Sequence, residues 1–265
     1  MLNEISINST PELIKLLIII CPLVFFAGFV DAVAGGGGII SLPAYLITGL
    51  PAHFAAGTNK MVNGIGTTMS AWKYIKGGKV AWKIALISAG GSLVGSVIGT
   101  NLALLFREDV LRIIIITAIP AVALFLLLKK DFGKDEKPER KLTGKAEIIA
   151  SAIIGLVIGC YDGLIGPGTG TFLILAFTGI LGLDLLLSSG CAKLSNLASN
   201  IASMIVFMVS GKIIYMIALP AAAFSVAGNY LGAKFALKNG SKFVRKMLFV
   251  VLALLFAKLL FDLFS

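Results

Sequence analysis

Two lysines lie inside long apolar stretches of the chain, where a charged side chain is unusual. Lys60 and Lys193 are each followed three residues later by an asparagine, Asn63 and Asn196. A lysine near the middle of a membrane-spanning segment costs at least about 2.5 kcal/mol and is therefore a functional candidate. We expect both ammonium groups to draw a negatively charged ligand into a site. The alternative is that the long side chains carry the ammonium groups to the membrane surface.

Two glycine clusters, Gly35–Gly38 and Gly166–Gly170, follow two further charged residues, Asp31 and Asp162. Glycine is a poor helix former, so we predict that a helix ends at each cluster inside the membrane. Such an end leaves backbone N–H groups unbonded, and these bind anions together with the positive end of the next helix. The aspartates either cap that helix or carry a coupling proton.

The predicted substrate site combines these glycines with nearby hydroxyl, amide and ammonium donors. Its members are Gly35, Gly36, Gly37, Gly38, Ser41, Asn59, Lys60, Asn63, Gly166, Gly168, Thr169, Gly170, Thr171, Lys193 and Asn196, with Asp31 and Asp162 in the capping or proton-coupling role. The alternative for glycines is close helix packing. We favour packing for four glycines in a small-xxx-small spacing, Gly95, Gly99, Gly228 and Gly232.

The composition identifies the class of protein that must position these residues. The chain is 58% hydrophobic and 14% charged, with a mean hydropathy of +0.98, against about 45–50% apolar and 25% charged residues in soluble domains. We therefore predict an integral membrane protein. Lys and Arg lie between apolar runs, which disfavours a nucleic-acid surface despite a net charge of +10. Three scattered cysteines and one histidine predict no disulfide, metal site or cofactor.

The chain divides into ten apolar segments, and most reach the roughly 20 residues that a membrane-spanning helix needs. The segments lie at about 12–33, 37–50, 54–76, 80–106, 110–129, 146–165, 168–183, 185–209, 213–237 and 243–264. The second and seventh are short and are predicted to be half-helices or re-entrant segments. Residues 1–14 lack the basic start of a signal peptide, so we expect the first segment to be a real span.

The two halves of the chain resemble each other. "GFVDAVAGGGG" (28–38) matches "GCYDGLIGPGT" (159–169), and "GTNKMVNGIG" (57–66) matches "GCAKLSNLAS" (190–199) after a two-residue insertion. The matches place Asp31 over Asp162 and Lys60 over Lys193. We therefore predict a first membrane repeat at 1–130, a basic cytoplasmic linker at 131–145 and a second membrane repeat at 146–265.

The basic residues predict that the two halves have opposite orientations. Four lysines surround the turn near residue 78, but only Lys212 lies at the equivalent turn near residue 211. The next pair of loops has the reverse bias, with basic residues concentrated near residue 240. Because Lys and Arg prefer cytoplasmic loops, equivalent loops should face opposite sides. The fold prediction is an all-α inverted repeat of two five-segment halves with broken helices, with both termini outside the cell membrane.

The paired motifs resemble the TauE/SafE family, also called the toluene sulfonate uptake permease family of sulfite and organosulfonate transporters. The resemblance lies in "GFVDAVAGGGGIISLPAYL", "GTNKMVNGIGTTMSAWKY" and their second copies, and it covers nearly the whole chain. It implies a plasma-membrane permease that moves sulfur-containing or other small organic anions, often outward. In the second half Pro167 and Thr169 replace glycines, which predicts an asymmetric site dominated by the first half.

Two mechanisms fit these sequence features. The first is an alternating-access anion carrier coupled to the proton gradient, since inverted repeats with broken helices are typical of secondary transporters. The second is a passive anion channel with a lysine-lined constriction. A membrane enzyme is disfavoured because the chain has no HExxH, DxxD or Ser-His-Asp arrangement. The expected partners are a small anion and lipid, and the oligomeric state stays open.

Overall fold

The structure is a computed structural model that describes residues 10–117 and 141–264, with only the backbone described beyond residue 247. Within these ranges the chain is helical and has no strand. The helices are α1 (Thr10–Ala34), α2 (Gly38–Ile47), α3 (Ala52–Lys76), α4 (Trp82–Leu105), α5 (from residue 108, described to 117), α6 (Gly144–Leu164), α7 (Thr169–Gly179), α8 (Leu185–Val209) and α9 (Tyr215–Phe264). A non-helical residue, Gly240, interrupts α9, and the tenth predicted segment follows it.

Five helical stretches in the described ranges are long and apolar enough to cross a membrane: Pro11–Ala34, Trp82–Leu105, Gly144–Leu164, Leu185–Val209 and Tyr215–Met247. Two further apolar helices, α2 and α7, have only 10 and 11 residues. At 1.5 Å per residue they extend about 15–17 Å, roughly half of the hydrocarbon core. The prediction of an all-α membrane protein with two short helices is confirmed.

Both short helices follow a break at a glycine. The residue after α1 is Gly35, with φ of 76°, and Gly166 after α6 has φ of 92°. A Cβ atom disfavours this left-handed region, so glycine is the residue that ends a helix there at little cost. The helix resumes at Gly38 and at Thr169. The predicted breaks at the two glycine clusters are therefore present.

The first and second halves pack against each other along glycine-lined faces. A Cβ atom on Gly95 or Gly99 of α4 would overlap the backbone of Leu156 or Cys160 on α6. The same holds for Gly228 and Gly232 of α9 against Phe25 and Phe29 of α1, which confirms close packing at these four glycines. Residue numbers rise together in both contacts, so α4 runs parallel to α6 and α9 runs parallel to α1.

The ends of α3 and α8 also make matching contacts with the opposite half. Gly57, near the start of α3, lies against the carbonyl of Lys212 in the α8–α9 turn. Gly190, near the start of α8, lies against the carbonyl of Lys79 in the α3–α4 turn. The start of each helix therefore lies beside the turn that follows the other, and α3 and α8 run in opposite directions. The core is shared between the halves, while most of the predicted linker lies outside the described residues.

Candidate functional site

The two helix breaks meet in the interior of the protein. The N–H of Thr171 donates to the carbonyl of Gly35 at 3.2 Å, and its hydroxyl donates to the carbonyl of Ala34 at 2.8 Å. A Cβ atom on Gly35 would overlap the backbone of Gly170. The glycines therefore allow one broken helix to touch the other as well as ending each helix.

Each membrane lysine forms an ion pair with the aspartate of the other half. Lys60 Nζ lies 2.7 Å from Asp162 Oδ2, and Lys193 Nζ lies 2.8 Å from Asp31 Oδ2. Lys60 is 5% exposed and Lys193 is 0% exposed. Neither ammonium group reaches the protein surface, so the alternative in which the lysines extend to the interface is wrong. Pairing compensates charges that would otherwise be costly to bury.

The Lys60–Asp162 pair borders a small cavity where the two breaks meet. The cavity has a volume of about 20 Å³, enough for about one water-sized molecule. Its lining is Asp31, Gly35, Gly38, Asn59, Lys60, Asn63, Asp162, Gly166, Thr169, Gly170, Asn196 and Asn200. A sulfite or sulfonate group is larger than this space. In this structure the site is therefore too narrow for such a ligand.

Most of the predicted site residues come together around this cavity, but six do not line it. These are Gly36, Gly37, Ser41, Gly168, Thr171 and Lys193. Asn200 lines the cavity and is absent from the residues predicted by sequence. It lies one helical turn after Asn196, and this i, i+4 spacing within a predicted membrane segment was the available signal.

The hydroxyl groups expected to bind the anion donate to the protein instead. Thr171 is bonded to Ala34, as described above, and Ser41 donates to Asn59 Oδ1 at 2.7 Å. Thr169 donates to Asp162 Oδ1 at 2.7 Å. These hydroxyls tie the broken helices and the site side chains to one another, so they organise the site and are not free donors.

The aspartates do not cap the short helices. The residues that precede α2 and α7, Gly37 and Gly168, have no side-chain cap hydrogen bond. Asp162 accepts from Lys60, Thr169 and Ser199, the last at 2.6 Å. Asp31 accepts from Lys193 through both its carboxylate and its backbone carbonyl. The capping interpretation is therefore wrong, and ion pairing takes its place.

The two ion pairs make the formal charge of these four groups zero. An anion that enters the cavity meets an ammonium group whose charge an adjacent carboxylate already compensates. A proton on that carboxylate would remove the compensation and leave Lys60 free to pair with the anion. Within the described residues, no group of three or more His, Cys, Asp or Glu side chains is placed to hold a metal ion.

The chain is similar to known proteins over most of its length. A family model described as "Sulfite exporter TauE/SafE" matches residues 20–259. The chain is 33% identical to the probable membrane transporter protein ORF9 of Sinorhizobium sp, with 90% of each chain covered. It is 31% identical to a probable membrane transporter protein of Haemophilus influenzae, over 94% of this chain and 96% of the relative. It is 32% identical to the probable membrane transporter protein YfcA of Escherichia coli K12, over 89% and 86%. No solved structure gives a significant match.

Proposed function

Since the chain belongs to the sulfite exporter TauE/SafE family and is a multi-pass membrane transporter, we propose that it carries sulfite, an organosulfonate or a similar small organic anion by alternating access. The family and its relatives are transporters and not enzymes. The proposed site is the cavity beside Lys60 and Asp162, in the plasma membrane. The proposed driving force includes the proton gradient.

The observation that carries this proposal is the Lys60–Asp162 ion pair at the edge of the cavity. With Asp162 ionised, the carboxylate competes with any anion for the lysine. Protonation makes Asp162 neutral and lets the anion take its place beside the ammonium group. Proton and anion then bind together with no change in net charge. They also move in the same direction, so net export requires an outward anion gradient larger than the inward proton gradient.

Alternating access is supported by the way in which the two halves meet. Both ion pairs and the contact between the helix breaks join one half to the other. A relative movement of the halves would open the cavity to one side, and the reverse movement would open it to the other. A cavity of about 20 Å³, too narrow for the proposed ligand, fits such a cycle better than a wide, permanently open channel.

We also propose that the halves form an inverted repeat with the basic turns in the cytoplasm. The matching contacts of Gly57 and Gly190, and the opposite directions of α3 and α8, support this arrangement. Lys83 at the start of α4 lies 3.3 Å from Glu147 at the start of α6, so these two lysine-flanked ends share one side. That side would be cytoplasmic by the positive-inside rule, which places both termini outside.

The proposal is tested by transport into liposomes that contain the purified protein. Methanesulfonate is a suitable probe because it stays ionised across the pH range, so any pH dependence belongs to the protein. We expect an imposed proton gradient to accumulate methanesulfonate or sulfite against its own gradient. Asp162→Asn should retain downhill flux but lose accumulation, because its amide cannot cycle a proton. Asp184→Asn, outside the cavity, is the control. Rapid downhill flux that ignores pH would instead identify a channel.

A further inference from the structure

We propose that Asn59 and Asn196 are fixed hydrogen-bond donors to the transported anion, and that Ser41 and Asn200 are positioning residues that fix them. The inference rests on the proposed function and adds the side chains that select the ligand. It assigns a role to amides that line the cavity but take no part in either ion pair.

The orientation of Asn59 is set by two hydrogen bonds to its side-chain oxygen. Oδ1 accepts from the hydroxyl of Ser41 at 2.7 Å and from Nδ2 of Asn63 at 3.2 Å. A side-chain amide has one acceptor oxygen and one NH2 group with two donors. Because the oxygen is occupied by these partners and Asn59 lines the cavity, the NH2 group is the part of the amide that faces the ligand.

Asn196 is fixed in the same way from the other half. Its Oδ1 accepts from Nδ2 of Asn200 at 2.8 Å, and both residues line the cavity. Asn59 and Asn196 are each only 5% exposed, so their donors lie in the protein interior. A buried donor without an acceptor is costly, which favours a ligand that supplies acceptor oxygens.

The amides and the ion pair therefore make different contributions to anion binding. An amide NH2 is neutral and donates at every physiological pH, whereas Lys60 becomes available only when Asp162 is neutral. In Asn59, Asn196 and Lys60 the cavity thus offers two permanent NH2 groups and one conditional cation. An oxyanion with three acceptor directions can satisfy all three groups. A halide is a single centre and lacks the separate oxygens that these donors would contact.

The sequence repeat supplies a conservative variant for a test. The position that matches Asn59 in the second half is Ala192. Asn59→Ala therefore introduces the residue that the same helix position already carries in the other half. Loss of a hydrogen bond to a charged ligand should weaken binding of methanesulfonate by about tenfold or more. Calorimetry on the full-length protein in detergent, at acidic pH, measures this dissociation constant, with chloride as the comparison anion.

The positioning role of Ser41 is tested by a double-mutant cycle. Ser41→Ala should weaken methanesulfonate binding in the wild-type background, because Asn59 is no longer held with its NH2 group toward the cavity. It should have no further effect in the Asn59→Ala background. Asn101→Ala is the control, because Asn101 is exposed on α4 and donates only to its own helix, at the Val97 carbonyl. We expect that variant to bind like the wild type.

The outcomes separate this inference from the function on which it rests. If the wild type binds methanesulfonate and both Asn59→Ala and Ser41→Ala bind it equally well, the donor assignment is overturned and the transport proposal stands. If Ser41→Ala weakens binding equally in both backgrounds, the positioning role is overturned. If the wild type binds neither methanesulfonate nor sulfite, the proposed function fails, and the donor assignment fails with it.

Discussion

The two lysine–aspartate pairs occupy matching positions in the repeat, yet they lie in different environments. Lys60 and Asp162 border the cavity. In the second pair Asp31 also borders the cavity, but Lys193 is fully buried outside the lining and contacts both the carboxylate and the carbonyl of Asp31. An ammonium group that borders the cavity can exchange partners, whereas a fully buried one loses all its compensation when its carboxylate is removed. We therefore propose ligand binding for the first pair and cohesion of the two halves for the second.

The largest expected effect comes from breaking the Lys193–Asp31 pair. Asp31→Asn leaves the Lys193 charge uncompensated, and loss of one partner from a buried pair costs about 3–5 kcal/mol. We expect little folded protein, measured by thermal unfolding in detergent. The double variant with Lys193→Met should recover much of the stability. Asp162→Asn should be milder, since Lys60 borders the cavity; equal losses in the two single variants would mean that the pairs are equivalent.

The glycine breaks give a second comparison of the halves, with a smaller difference. Alanine at Gly35 or Gly166 enters the left-handed region, which costs about 1–2 kcal/mol. At Gly35 the new methyl group also meets the Gly170 backbone, whereas at Gly166 the nearest atom is 3.4 Å away. Overpacking should therefore make Gly35→Ala about 1–3 kcal/mol less stable than Gly166→Ala. Identical unfolding midpoints would show that the breaks can separate freely.

The smallest expected effect concerns the N-terminal caps of α3 and α8, the helices that carry Lys60 and Lys193. Asp184 caps α8 by accepting from the N–H groups of Leu186 and Leu187, both at 2.9 Å. The matching residue before α3 is Pro51, and the carboxylate of Glu108 on α5 accepts from Ala52 instead. Asp184→Ala should lower stability by about 1 kcal/mol and leave methanesulfonate transport unchanged. A loss of transport in folded protein would give this cap a role in the cycle.

Glu108 caps α3 from another helix, whereas Asp184 caps the helix that directly follows it, so the two should contribute differently to stability. Glu108 also lies 2.6 Å from Nδ1 of His53, so its side chain joins α5 to the start of α3. We expect Glu108→Ala to cost more stability than Asp184→Ala, because it removes a contact between helices as well as a cap. Chemical unfolding of both variants in the same detergent measures the difference. The opposite order would show that α5 contributes little to holding α3.

The sequence predicted the local features of the site well and the long-range ones poorly. Glycine clusters and short apolar segments are local signals, so the breaks and the half-helices were correctly predicted. The position of Lys60 in an apolar segment also marked it as a functional candidate. The partner of each lysine depends on how the two halves pack together, and no local sequence pattern predicts the contact between Lys60 and Asp162.

The same limit explains the incorrect assignments within the predicted site. Ser41 and Thr171 have the right chemistry to bind an anion, but their hydroxyls donate to acceptors on other helices. Asn200 was missed because its i, i+4 relation to Asn196 becomes meaningful only once that face of the helix is known to line a cavity. Residue type therefore predicted the chemistry available, while packing decided which groups remain free for a ligand.

The exchange of ionic partners between the halves has a consequence for biosynthesis. The first half is translated first, so Asp31 and Lys60 reach the bilayer before Lys193 and Asp162 exist. A charged side chain without its partner costs at least about 2.5 kcal/mol near the centre of the membrane. Ribosomal synthesis must therefore proceed beyond α8 before the early segments attain their lowest free energy. Until then, we expect the nascent N-terminal part to remain near the insertion machinery.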